Sequence, residues 1–290
     1  MATLLQQKKT FSDFKEEKIM GSLSPALNVM IKAARKAGRR IVRDFSEVEN
    51  LQISKKVPAD FIDKTIEKSK ETLLTDLRSA RPNYSFTIAG DEHIEGADTS
   101  NTFIIEPLDG VVNFMRAIPF FAVSIALVRD GDILAGVTYN PVLDELYYAE
   151  KGTGTYIMTA RGDRRLRVSG RKNLTDALIG VDFTKQDSSA IEQYQERLRY
   201  LIENTEGARR MGAPSLGLAM VAAGKIDAYW CRFVKPSNIA AGLVMVKEAG
   251  GHARATGGAD KLIDVLKAAS VIATNDEMDF AITKVLRDKK

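Results

Sequence analysis

A single cysteine, Cys231, stands in 290 residues, so an intrachain disulfide is excluded and nothing argues for an oxidising compartment. Its burial as a small apolar side chain is the expected state. The only two histidines, His93 and His252, stand at no metal-ligand spacing. Apolar runs such as Phe120 to Val128 fall well short of the roughly 20 residues that a membrane span needs. The opening segment MATLLQQKKTFSDFKEEKIMG has no basic residue leading an apolar stretch, so it does not read as a secretory signal. Residues 1–22 read as a polar extension, with Met20 an alternative start, ahead of one domain over residues 23–290. A cytoplasmic protein with no membrane contact is the expectation. Neither charge sign dominates: 42 basic against 38 acidic side chains leave a formal net charge of +4 and a pI near 9.0. That excess suits a solvated, mixed-sign surface better than a dedicated nucleic-acid patch, although it slightly favours anionic ligands. Internal repeats, low-complexity tracts and a Pro/Gly/Ser-rich linker are absent as well.

What is present is ordinary globular material, 44% hydrophobic and 28% charged. Ser24 can cap a helix with Pro25 in its first turn, and Leu27, Ile31, Ala34 and Ile41 recur at helical spacing. Lys64 to Arg78 predicts a second helix. Short strands are predicted at 85–89 and 102–105. Two longer ones, 121–129 and 133–140, flank the hairpin signal Arg129-Asp130-Gly131-Asp132. A strand over 145–149 precedes the turn Lys151-Gly152-Thr153-Gly154. Beyond it, strands at 177–181, 228–232 and 270–274 alternate with helices at 188–204, 215–223 and 238–249. Meanders combined with helical crossovers indicate a layered α/β protein.

The chemistry concentrates in Ile104-Ile105-Glu106-Pro107-Leu108-Asp109-Gly110. An apolar strand ends in a carboxylate, proline stiffens the next residue, and a second carboxylate lies three positions after the first. Gly110 then permits close backbone approach. Acids fixed at a strand end beside backbone N–H groups suit a hard, oxygen-seeking cation such as Mg²⁺ with a phosphate ligand. A further acid, Asp91 or Glu92, follows Gly90 at another predicted strand end.

Residues 104–156, IIEPLDGVVNFMRAIPFFAVSIALVRDGDILAGVTYNPVLDELYYAEKGTGTY, closely resemble the heart of the inositol monophosphatase family, whose motif there runs Asp-Pro-(Ile/Leu)-Asp-Gly-Thr-Thr-Asn-Phe. A second signature of that family, Pro-Trp-Asp-x-Ala-Ala-Gly, is matched by Pro236-Ser237-Asn238-Ile239-Ala240-Ala241-Gly242, followed by Glu248-Ala249-Gly250-Gly251. The likeness runs from about Ser24 to the C-terminus and is strongest to bacterial extragenic-suppressor homologues. It implies a five-layer αβαβα sandwich, usually dimeric, that hydrolyses small phosphate monoesters such as inositol 1-phosphate with two or three Mg²⁺ ions. Li⁺ inhibits many members. It also implies metal ligands at Asp91, Glu106, the Leu108 carbonyl, Asp109 and Asn238. Gly110 and Val111 would meet the phosphate. Asp91, Asp109 and Val111 occupy catalytic positions, and Asp109, Asn238 and Cys231 fall where the family contacts substrate.

Several of those positions carry altered chemistry. Glu106 stands for an Asp and Asp91 for a Glu, so one ligand reaches further and the other less far, against a Mg²⁺–oxygen distance of about 2.0–2.1 Å. Asn238 replaces an acid with a neutral amide, and Val111 replaces the threonine hydroxyl that orients water. An upstream acid becomes Ile66, in a segment beginning at Asp60, and the inositol-contacting Glu becomes Cys231. Lys55 matches a family lysine by position only and reads as a surface residue. Pro107, Gly110, Ala240-Ala241-Gly242 and Gly250-Gly251 are nevertheless intact, so the framework is kept while the acid set is loosened. Two functions follow as expectations. One is a metal-impaired phosphatase with weak or partial Mg²⁺ occupancy. The other is a non-catalytic binding module, as in ribosomal-RNA transcription with RNA polymerase and its elongation factors.

Overall fold

In the computed structural model, the first long helix follows directly from apolar spacing. Leu27, Ile31, Ala34, Ala37, Ile41, Phe45 and Val48 are all buried, at steps of three and four, along α1 (Pro25–Gln52). Ser24 caps it, its Oγ accepting the Leu27 N–H at 3.2 Å. The structure describes residues 23–52, 59–89, 92–183 and 188–287. Helix α2 (Ala59–Ala80) starts five residues earlier than the apolar pattern predicts and buries Ile62, Thr65, Ser69, Leu73 and Leu77 against α1 and the first sheet.

That sheet has eight strands in the order β2-β1-β3-β4-β5-β6-β7-β8. They are β1 (Tyr84–Ile88), β2 (Glu92–Ile94), β3 (Asp98–Asp109), β4 (Ala122–Arg129), β5 (Asp132–Asn140), β6 (Glu145–Glu150), β7 (Gly154–Thr159) and β8 (Gly162–Leu166). Only the β1–β3 pair is parallel. A five-residue interruption follows β3 as the short helix α3 (Val111–Met115). The second sheet runs β10-β9-β11-β13-β12, from β9 (Leu178–Phe183), β10 (Gly207–Arg210), β11 (Ala228–Arg232), β12 (His252–Arg254) and β13 (Ser270–Thr274). Between the sheets lie α5 (Pro214–Ala222), α6 (Pro236–Glu248) and α7 (Leu262–Lys267). Outside the second sheet lie α4 (Ser188–Asn204) and α8 (Asp279–Leu286).

Three apolar clusters therefore hold five layers together, the central one filling both faces of the middle layer: α1 and α2, the large sheet, the central helices, the small sheet, and the outer helices. Strand β11 shows why the layers hold. Tyr229 and Cys231 enter the central cluster, while Ala228 and Trp230 enter the outer one, as the two-residue period of a strand requires. The layered α/β sandwich expected from the sequence is the fold observed. No described helix is long and apolar enough to cross a membrane.

The small residues of the second signature have a packing reason. A Cβ on Gly136 of β5 would lie 2.6 Å from the Ala241 carbonyl oxygen, and one on Gly242 would lie 2.4 Å from Leu218 Cβ. Helix α6 thus touches both the large sheet and α5 at near-backbone distance, which only glycine and alanine permit.

Candidate functional site

The site begins with an irregularity. Glu106 pairs with Ser124 and Asp109 with Ala122, so two residues of β3 oppose one of β4 across Pro107 and Leu108. A bulge tolerates a proline that has no N–H to donate, and it re-aims the side chains beyond it. Ser69 of α2 fixes the bulge by donating its hydroxyl to the Pro107 carbonyl at 2.8 Å. Gly110 then turns the chain with φ +86°, and a Cβ there would sit 2.9 Å from the Phe120 carbonyl. Both the backbone angle and the close approach require glycine.

Both acids end up buried, Glu106 at 7% and Asp109 at 4% exposure. Asp109 Oδ2 accepts the Ser215 N–H at 2.8 Å and the Ser215 hydroxyl at 2.6 Å, while its Oδ1 accepts the Asn238 amide at 2.9 Å. Glu106 Oε2 accepts the Ser237 hydroxyl at 2.7 Å. Burial pushes the Asp109 carboxyl up to about 8, and Glu106 adds repulsion while the Ser215 hydrogen bonds oppose the rise. Glu106 is also raised by burial, with the Ser237 hydrogen bond and the Lys235 charge opposing.

A cleft of about 600 Å³ adjoins these groups through Asn238, which lines it together with Asn113, Asp182, Arg210 and Lys235 and the exposed Val112 and Phe233. Asn113 stitches two walls together, donating to the carbonyls of Phe120 at 2.7 Å and Met211 at 2.8 Å. Asp182 is the functional-looking residue that sequence reasoning passed over. Its carboxylate accepts the Tyr229 hydroxyl at 2.6 Å and the Gly212 N–H at 3.1 Å, with Arg210 at 3.9 Å. Burial raises its pKa, and the Tyr229 and Gly212 hydrogen bonds oppose that. It too is an acid after an apolar run, the signal that exposed Glu106, but it lacks a flanking proline or glycine.

The remaining predicted positions are distributed unevenly. Glu106, Leu108, Asp109, Gly110 and Asn238 come together. Asp91 and Lys55 lie outside the described residues. Val111 packs against the cluster beneath the large sheet, and Ile66 joins the same cluster. Cys231 is fully buried in the central cluster, where burial holds its thiol well above the usual range, and it does not line the cleft. His93 faces the Thr87 hydroxyl at 3.2 Å and His252 faces Asp276 at 2.7 Å, both away from this site.

A family model for the "Inositol monophosphatase family" matches residues 22–289. The chain belongs to the inositol monophosphatase family. Its similar proteins include an inositol-1-monophosphatase of Mesorhizobium japonicum, 42% identical over 91% of this chain and 97% of that one. A Nus factor SuhB of Pseudomonas aeruginosa is 38% identical over 79% of this chain and 84% of that one. Among solved structures, an extragenic suppressor protein suhB from Bartonella henselae superposes with a TM-score of 0.81 at 40% identity, covering 92% of this chain and all of that one. An inositol monophosphatase from Anabaena gives a TM-score of 0.77 at 26% identity, over 90% of this chain and 94% of that one.

Members of the inositol monophosphatase family generally depend on Mg²⁺, and the donor set here can be tested against that need. Both Asp109 oxygens already hold protein donors, and Asn238 meets Asp109 with its NH₂ group, where a shared cation would require an oxygen. Among the described residues, no three His, Cys, Asp or Glu side chains gather as a metal site. These residues do not fit a two-cation centre.

Proposed function

We propose that this chain binds a small phosphate monoester of the inositol 1-phosphate class in the cleft beside Asp109 and hydrolyses it weakly. The observation that carries the impairment is that both Asp109 oxygens already accept donors, two from Ser215 and one from the Asn238 amide, where a second cation would need to share them. Magnesium supplies charge neutralisation and an acidified water in such chemistry. In this chain its occupancy is weak or partial, limited to Glu106, the Leu108 carbonyl, Asp109 and Asp91. The Gly110 and Val111 N–H groups, opening α3, meet phosphate oxygens. Arg210 and Lys235 add positive charge to the same cleft. Residues 1–22 are a polar extension to a single catalytic-type domain, and the working state is a cytoplasmic homodimer.

The purified chain should release phosphate from inositol 1-phosphate slowly with Mg²⁺ or Mn²⁺. Restoring Asp at 238 and 66 together with Thr at 111 should raise the rate, since one lost water- or charge-orienting contact typically costs about 10²–10³-fold. These effects are not additive. Robust, Li⁺-sensitive turnover by the unaltered chain would overturn the impairment, and no gain in the triple variant would count against the positional match.

A second reading is favoured by a different observation. Relatives at 33–38% identity carry the name Nus factor SuhB or putative Nus factor SuhB, and here the close-packed framework is kept while the acids are hydrogen-bonded internally. On that reading the fold serves as a binding module for RNA polymerase or its elongation factors. Binding to those factors by a variant without phosphatase activity is its test.

A further inference from the structure

Helices α5 and α6 start without local caps. Neither Ala213 nor Lys235, the residues that precede them, makes a side-chain cap hydrogen bond. The opening N–H groups of a helix have no partner inside it, and its N-terminus carries a partial positive charge. Both helix starts point at the end of β3. Ser215, second in α5, gives its N–H and hydroxyl to Asp109, and Ser237 and Asn238, second and third in α6, reach Glu106 and Asp109. These bonds join residues 106 to 131 positions apart in sequence. Asp109 thus caps α5 across the fold, and the start of α6 gives both acids side-chain donors where a cation would otherwise stand.

We propose that the Asn238 amide takes the place of the second cation, so that Asp109 and Glu106 clamp β3 to α5 and α6 without a divalent ion. An acid at 238 would instead set a half-buried carboxylate at about hydrogen-bonding distance from the buried Asp109, a repulsion that only a cation or a shared proton relieves. The proposal rests on the family reading of the site, but its test does not use phosphate release. A dead enzyme would leave the clamp standing, and an active one could still fail the clamp.

Thermal unfolding of the full chain, Asn238→Asp and Asn238→Ala is followed by circular dichroism in excess EDTA and in millimolar MgCl₂ or MnCl₂. The unaltered chain should keep its Tm within about 1 °C across these buffers. Asn238→Asp should fall by roughly 4–8 °C in EDTA and recover most of that in metal. Recovery of folded Asn238→Asp only from metal-supplemented buffer is the same result in a stronger form. Asn238→Ala should be lowered in every buffer, with no rescue. A saturable Mg²⁺ stabilisation of the unaltered chain by several degrees would overturn the proposal. So would an Asn238→Asp protein indifferent to metal, or an Asn238→Ala protein as stable as the parent.

Discussion

Replacing Gly217 with alanine sets two opposing effects against each other on α5. A glycine in a helix interior costs about 1 kcal/mol relative to alanine, so propensity alone favours the change. The added Cβ, however, would lie 2.3 Å from Tyr229 Cε2 and 2.7 Å from both Cδ2 and Cζ. The ring has little room to move. Its hydroxyl is held by Asp182 at 2.6 Å, and its Cδ2 lies 2.6 Å from where a Cβ on Gly180 would stand. Overpacking a rigid core costs about 1–3 kcal/mol, and a contact this short belongs at the upper end. The net expectation is a loss of about 1–2 kcal/mol, or roughly 2–8 °C in Tm. Urea unfolding followed by far-UV circular dichroism should show a lower midpoint with an unchanged slope. Combining Gly217→Ala with Tyr229→Phe frees the ring from Asp182, so the pair should cost less than the sum of the single changes. A Gly217→Ala protein as stable as its parent would show that the ring yields, and the pinning argument would fail.

Three further expectations rest on other elements. Glu248, at the end of α6, accepts the N–H groups of Gly152 and Gly154 at 2.9 Å each, so Glu248→Ala should lose about 1–2 kcal/mol by chemical denaturation; no change would mean the turn holds itself. For Asp279, burial pulls the carboxyl pKa up, but the Arg254 hydrogen bonds and charge outweigh it, leaving the pKa below its ordinary value of 3.8. That stabilisation is present above the unfolded pKa and is lost as pH falls through the folded one. The Tm gap between the parent and Asp279→Asn should therefore be constant near neutrality and close below about pH 4; a gap that widens in acid would contradict it. The Lys36–Asp76 pair is short at 2.6 Å but half exposed at the lysine, so Lys36→Ala should cost under about 1 kcal/mol, and a larger loss would reveal a role beyond the pair.

Much of this molecule is legible residue by residue. The spacing of Leu27, Ile31, Ala34 and Ile41 specifies α1, because a 3.6-residue period needs no distant partner. Strands 228–232 and 270–274 and helix 188–204 lie where the pattern places them. The hairpin of β7 and β8 was not legible, since Arg164 and Arg165 break the apolar alternation on an edge where solvent covers one face. Helix α3 was hidden for another reason: five residues are too few to show a period.

Local sequence by itself determined the apolar periods, the proline-and-glycine punctuation around Glu106 and Asp109, and the small residues that let α6 approach its neighbours. The tertiary structure alone decided what those acids meet. Ser215, Ser237 and Asn238 lie more than a hundred residues away, and whether an amide offers its oxygen or its nitrogen depends on the group it faces. The same holds for Asp182, whose role comes from a tyrosine two strand positions across the second sheet, and for Cys231, turned into the core by the two-residue period of β11. Periodicity acts between near neighbours, so sequence carries it. Charge compensation acts through space, and only the folded chain brings donor and acceptor together.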